Sequence, residues 1–296
     1  GELDLDVAPL DTGLVRIPYK KPSVIPGKEY RVTVSSVLDK DEIWAKAGHE
    51  VAWEQFELAK WNIPAEVTRN ISGDTVLEET ADMYVVSGPG FKYSFDRKNG
   101  ALVSMVSDEV EMLASPLKVN FWRAPLANET DGWSSGSVNG DPYADIYDGY
   151  GTIGAGSMVA REYYQAGLDN PLHVPVEVRA RKAGRSVFLD VRELILIGVS
   201  SSRPAASVKE YLESGSRAAY ENISTYRIDA DGLITLHQVL NPQGDMPFWM
   251  PRIGLALEIG GDYDNVEWYG RGPQASYPDR KSGYRMGVYG SDVDAM

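Results

Sequence analysis

Residues 268–280 read WYGRGPQASYPDR. Trp268 and Tyr269 end a strand-like run, and Gly270 and Gly272 flank Arg271 so that the backbone can turn tightly. Tyr277-Pro278-Asp279-Arg280 then forces an extended exit followed by a turn. This is a decorated corner on a β scaffold. It names no reaction by itself, because a neighbouring Asp and Arg such as Asp279 and Arg280 most often form a surface ion pair.

Outward from that corner the chain keeps to β patterns. Tyr30, Val32 and Val34 alternate with Arg31, Thr33 and Ser35 after the Pro26-Gly27 turn, which predicts a half-buried strand. Residues 14–17 predict a shorter strand, and 47–58 read as a strand in which Glu54, Phe56 and Leu58 alternate against Gln55 and Glu57. Residues 63–80 lapse into a charged, polar stretch, so the domain boundary is placed there, between domains at 1–63 and 64–296. Tyr93 and Phe95 lead into Asn99-Gly100, the strongest short hairpin signal, and Leu102, Val103 and Met105 lead out of it. A second hairpin joins 221–228 to 233–240 about Asp229-Ala230-Asp231-Gly232, with Ile234, Leu236 and Leu240 on one face. Residues 187–197 and 253–259 are further apolar strands. Strands never alternate with amphipathic helices of about 10 to 15 residues, which excludes a parallel α/β barrel or nucleotide-binding sheet from this stretch. Helix is confined to short turns.

Composition agrees. Aromatics are 10% of the 296 residues, with 29 glycines and 17 prolines, together above the ordinary share of about 12%. The length allows two domains, or one large β domain with an appendage. With 29 Lys and Arg against 43 Asp and Glu, the net charge is −14, which repels phosphate backbones and anionic headgroups, so neither nucleic acid nor a membrane is an expected partner. The chain has no cysteine, which excludes disulfides and thiolate metal sites and removes the usual clue to compartment. No apolar run approaches the roughly 20 residues of a membrane helix, and Gly1-Glu2-Leu3-Asp4 lacks the features of a signal peptide.

Local chemistry is sparse. His49, His173 and His237 are too dispersed for a local metal signature, and each reads as a hydrogen-bonded structural or surface residue, His237 on the solvated side of its strand. There is no nucleophile elbow, phosphate loop or zinc-protease motif. The best cluster of acids, Glu129, Asp131, Asp141, Asp145 and Asp148, lies in the irregular tract 127–157, where a solvated loop outweighs a catalytic pair. Trp122 and Trp133 have rings able to stack on a sugar face. Trp122, on a strand, reads instead as core.

Residues 120–133, NFWRAPLANETDGW, and again 268–280, resemble the carboxy-terminal region of the large β-galactosidases of glycoside hydrolase family 2. Three more stretches agree in order: AGHEVAWEQFEL at 47–58, Phe95-Asp96-Arg97-Lys98-Asn99-Gly100, and Pro251-Arg252-Ile253-Gly254. Two positions depart from the family. Ala127-Asn128-Glu129 stands where Asp-Asn-Asp is common, and Ala275-Ser276 where Glu-Asn is common.

The resemblance implies an all-β architecture: the later strands of an immunoglobulin-like sandwich over 1–63, then a large antiparallel supersandwich like that of the galactose mutarotases over 64–296, truncated at its end. It implies a parent enzyme that hydrolyses terminal β-galactosides with retention, using two glutamates and sites for magnesium and sodium, all in an upstream catalytic barrel. No catalytic residue, metal ligand or cofactor is assigned to this chain. Its expected role is to pack on that barrel and lend the tract bearing Asn128, Glu129, Asp131 and Trp133 to the sugar site. Arg123, Arg271, Asp279 and Arg280 carry the motifs. An open strand edge at the truncation implies self-association. The rival readings are a stand-alone carbohydrate-binding module and a mutarotase-like enzyme, against which the scattered histidines argue.

Overall fold

The computed structural model describes residues 3, 7–23, 25, 28–59, 72–126, 129, 159–247, 250–274, 276, 277 and 280–295. They fall into two compact units, Ile71–Asp264 and the pair of segments Gly1–Asn70 with Asn265–Met296. In chain order the strands are β1 (Tyr30–Val37), β2 (Glu50–Ala59), β3 (Val76–Glu79), β4 (Met83–Gly88), β5 (Phe91–Asp96), β6 (Leu102–Ser107), β7 (Val110–Glu111) and β8 (Leu113–Asn120). After helix α1 (Val159–Gln165) come β9 (Leu172–Ala183) and β10 (Ser186–Leu196). Helix α2 (Val208–Glu213) precedes β11 (Ala219–Ile228), β12 (Ile234–Gln243), β13 (Gly254–Ile259), β14 (Asn265–Gly272) and β15 (Arg285–Asp292).

The unit Ile71–Asp264 is an antiparallel sandwich. One sheet has the order β3-β4-β5-β6-β7, the other β12-β11-β10-β9, and β13 pairs with β8 as a separate ribbon. Alternation decides which side chains face inward, since successive residues of a strand point to opposite faces. Phe91, Tyr93 and Phe95 of β5 meet Val187, Leu189 and Val191 of β10 and Tyr226 and Ile228 of β11 in one buried cluster. Phe95, with no exposed surface, meets Tyr226 across the sheets edge-on, ring centroids 5.2 Å apart. The Tyr93 hydroxyl donates to the Gly232 carbonyl at 2.7 Å, tying β5 to the turn of the opposite sheet. In the turn before β6, Gly100 has φ +73, and a Cβ there would lie 2.4 Å from Val191 Cγ2, so only glycine serves both the turn and the packing.

A second cluster joins Phe121, just past β8, to Tyr163, Leu168, Ile195, Ile197 and Tyr220, with Phe121 and Tyr220 stacked at 4.9 Å. In the other unit, β1 pairs with β2 and β14 with β15. Gln55 of β2 donates to the Met286 carbonyl at 3.1 Å and accepts from the Met286 N–H at 3.0 Å. The β14–β15 hairpin thus clusters with β1 and β2, whereas the sequence-based division put it with 64–296.

The all-β expectation is met, with both predicted hairpins in place. Two local expectations are not. Residues 14–17 form no strand, and Leu14 is fully exposed, because among the described residues nothing pairs with its backbone or packs on it. Trp122 lies two residues past β8 rather than on a strand, half-buried against Tyr164 with centroids 4.7 Å apart. Truncating Phe95 to Ala should cost about 3–5 kcal/mol, read as a shift of the urea midpoint at unchanged slope. A loss below about 1 kcal/mol would mean the two sheets do not meet there.

Candidate functional site

The residues singled out by sequence separate into two places, one in each unit. Past β8 the chain leaves the sheet at Trp122, and Arg123 turns its guanidinium onto Glu129. Nη1 and Nη2 donate to Oε2 and Oε1, each at 2.7 Å, and both side chains are mostly buried. The Leu126 N–H donates to Glu129 Oε2 at 2.7 Å and the Tyr163 hydroxyl to Oε1 at 2.8 Å. Arg123 Nε donates to the Pro251 carbonyl at 3.2 Å, which fastens the segment before β13 to the same cluster. The ends of the intervening tract meet here, for the Ala160 N–H of α1 donates to the Glu129 carbonyl at 3.3 Å.

Burial by itself would push the Glu129 carboxyl up, but Arg123, the Leu126 N–H and the Tyr163 hydroxyl together hold it below the ordinary glutamate value. Burial, and then the bond to Glu129, push the Tyr163 phenol up. An ionised carboxylate held this way serves as an anchor. Asn128, Asp131 and Trp133 lie outside the described residues.

In the other unit the corner at 268–280 closes on itself. Arg271 Nη1 donates to the carbonyls of Lys281 at 2.6 Å and Tyr284 at 2.9 Å, and Trp268 Nε1 donates to the Arg271 carbonyl at 3.2 Å. A Cβ on Gly272 would lie 2.6 Å from the Tyr289 ring, so this glycine permits the corner to pack. Arg280 lies over the Tyr277 ring, 5.6 Å from its centroid. Asp279 lies outside the described residues. The described corner is thus braced by Arg271 on backbone carbonyls.

The sandwich also holds a constellation that sequence reading missed. Glu193 of β10 faces Asn222 of β11, and Ser224 of β11 faces Gln238 of β12. Asn222 Nδ2 donates to Glu193 Oε1 at 2.8 Å, Ser224 Oγ to Asn222 Oδ1 at 3.2 Å, and Gln238 Nε2 to Ser224 Oγ at 3.1 Å. His173 Nδ1 of β9 lies 3.1 Å from Glu193 Oε2 and completes a polar row across all four strands. The row lines a cavity of about 280 Å³ whose walls include Leu117, Val119, Val191 and Leu255. Tyr226 lines it too. Burial, and then the Glu193 charge, push the Tyr226 phenol up to about 12.

His173 reaches this face because of a register shift between Arg192 and Glu193. Below the shift Val191 faces Val178, and above it Ile195 faces His173, so one extra residue of β9 swaps the parity of the strand. The sequence did carry a signal for the rest. Glu193, Asn222, Ser224 and Gln238 each interrupt an apolar series of alternate residues, and the hairpin about Asp229 places three of them side by side. His237, as read, is exposed. Among the described residues no three His, Cys, Asp or Glu side chains converge to hold a metal ion.

Comparison with known proteins now bears on identity. The family described as β-galactosidase small chain matches residues 87–296. The chain belongs to that family. Residues 1–59 match the family described as β-galactosidase, domain 4. A β-galactosidase of Priestia megaterium is 28% identical over 266 residues, 90% of this chain and 21% of that protein. One of Pseudoalteromonas haloplanktis is 27% identical over 300 residues, all of this chain and 26% of that protein. The small-chain region with its preceding segment thus spans about a quarter of the length of the curated relatives it matches, and corresponds to their carboxy-terminal region.

The anchor makes a prediction. With its folded pKa depressed, Glu129 contributes stability that is present above the unfolded value of about 4.3 and lost as pH falls through the folded value. Glu129→Gln should therefore lower Tm at pH 7, and the gap to the unsubstituted chain should close on acidification towards pH 3. A gap that stays constant over that range would show that the ionised carboxylate is not what holds the cluster.

Proposed function

We propose that this chain is the non-catalytic carboxy-terminal part of a retaining β-galactosidase of glycoside hydrolase family 2 that hydrolyses terminal β-galactosides. The observation that carries the reading is the pair of family matches, in order, over 1–59 and 87–296, together with the small share of each relative that the chain covers. In this reading residues 1–63 are the later strands of an immunoglobulin-like sandwich, and the catalytic glutamates, with magnesium and sodium, belong to an upstream barrel. Retention needs two carboxyl groups about 5 Å apart on opposite sides of the scissile bond. The chain's own contribution is positional. It packs on the barrel and lends the tract rooted at the Arg123–Glu129 pair to the sugar site, where Asn128, Asp131 and Trp133 meet hydroxyls and a ring face. The anchored Glu129 acts by fixing the root. Self-association through an open strand edge belongs to the same proposal.

Kinetics test it. The chain alone should not turn over a chromogenic β-galactoside, whereas the polypeptide carrying both barrel and chain should. In that polypeptide Trp133→Ala should raise KM for galactosides with Tm nearly unchanged, since a contact made to substrate contributes to binding rather than to the core. Turnover by the purified chain that vanished on mutating one of its own acids would overturn the proposal. A Tm lowered by several degrees with unchanged kinetics would remove Trp133 from the sugar site.

A further inference from the structure

The polar row of the sandwich interior is an expensive thing to build. Side chains at this depth of a sandwich are ordinarily apolar, and each polar group taken from water costs roughly 1–3 kcal/mol unless it is hydrogen-bonded. Asn222 and Ser224 are each only 3% exposed, and the row satisfies them through one another, through Glu193 and through Gln238. It leaves one group over. Tyr226 is 7% exposed, lines the cavity, and its hydroxyl has no hydrogen-bond partner among the described residues. Among the described side chains this hydroxyl is not one of the polar atoms sealed from solvent without a partner, so it opens on the cavity and is available to something inside it.

We propose that this cavity is a binding site for a single neutral sugar ring, held by its hydroxyls to the row and by its C–H faces to the aliphatic walls. Size, charge and amphipathy argue for that class. At about 280 Å³ the space falls just below the range of about 300–1,000 Å³ of most ligand clefts, which restricts the occupant to something near one ring. The Glu193 carboxylate disfavours an anion. Among the described residues no arginine lines the cavity, and the one lysine that does, Lys118, is exposed. The amide groups of Asn222 and Gln238, the Ser224 and Tyr226 hydroxyls and the imidazole of His173 offer donors and acceptors together, as hydroxyls require. Leu117, Val191 and Leu255 supply apolar surface on the other sides. Because His173 side chain is about a third exposed and Leu255 45% exposed, the cavity has a mouth.

The inference does not depend on the proposed barrel. D-galactose and D-glucose titrated into the whole chain by calorimetry, with indole and amide resonances followed in parallel, should give saturable binding of at least one of them, with a Kd in the millimolar range or below. Tyr226→Phe keeps the ring against Phe95 and removes only the unpartnered hydroxyl, so Tm should be unchanged while affinity falls about tenfold. Gln238→Leu should weaken binding similarly. Lack of saturable binding of either sugar by the unsubstituted chain would overturn the proposal and leave a merely hydrated cavity. Wild-type affinity in Tyr226→Phe would overturn it as well. Neither result would touch the proposed relation to a barrel, which is read on turnover.

Discussion

Face-to-face packing of the sheet β3-β4-β5-β6-β7 against β12-β11-β10-β9 is the interaction on which the larger unit depends. The two sheets meet through Phe91, Tyr93 and Phe95 on one side and Val187, Leu189, Val191 and Ile228 on the other. A fully buried side chain of this size contributes about 1.5–3 kcal/mol, so a few inward positions decide whether the sandwich closes. The same closure constrains a polar row and one turn of the unit. It creates the interior in which Glu193, Asn222, Ser224 and Gln238 must satisfy one another, and it brings the Gly100 turn onto Val191 with no room for a side chain.

The Arg123–Glu129 cluster is a second, smaller constraint of a different kind. It is directional where the sheet packing is not. A bidentate guanidinium–carboxylate pair fixes angle as well as distance, and with the Leu126 N–H and the Tyr163 hydroxyl on Glu129 and the Pro251 carbonyl on Arg123 it gathers three separate segments around one ion pair. Removing one partner of such a mostly buried pair leaves the other charge uncompensated, at about 3–5 kcal/mol. In the proposed enzyme this rigidity is what would allow a long tract to be presented from a fixed root.

What could be read in the sequence was what is local. The hairpins at Asn99-Gly100 and Asp229–Gly232 were legible because turn chemistry acts over four residues, strands β1, β2, β5 and β12 because alternation does, and β10 as an apolar run. The strand expected at 14–17 failed because alternation states which face would be buried but not whether a partner exists. The anchor was legible only in part. Glu129 stood out as one acid of a cluster, but Tyr163, which donates to it, lies 34 residues away, and Pro251, which accepts from Arg123, lies 128 residues from that arginine. The cavity required cross-strand register. His173 was beyond reach altogether, since the shift beside Glu193 reverses its face, and a reading of β9 by strict alternation sends that side chain to the wrong side.

Native-state hydrogen exchange tests the central claim, that one closed sandwich interior organises the unit Ile71–Asp264. If the inner strands form a single cooperative core, the amides of β10 and β11, each paired on both sides, should exchange only through global unfolding and report the same opening free energy as β5 across the interface. The amides of β13, paired on one side only and largely exposed, should exchange sooner. β10 and β11 exchanging as fast as β13, or independently of β5, would contradict the account.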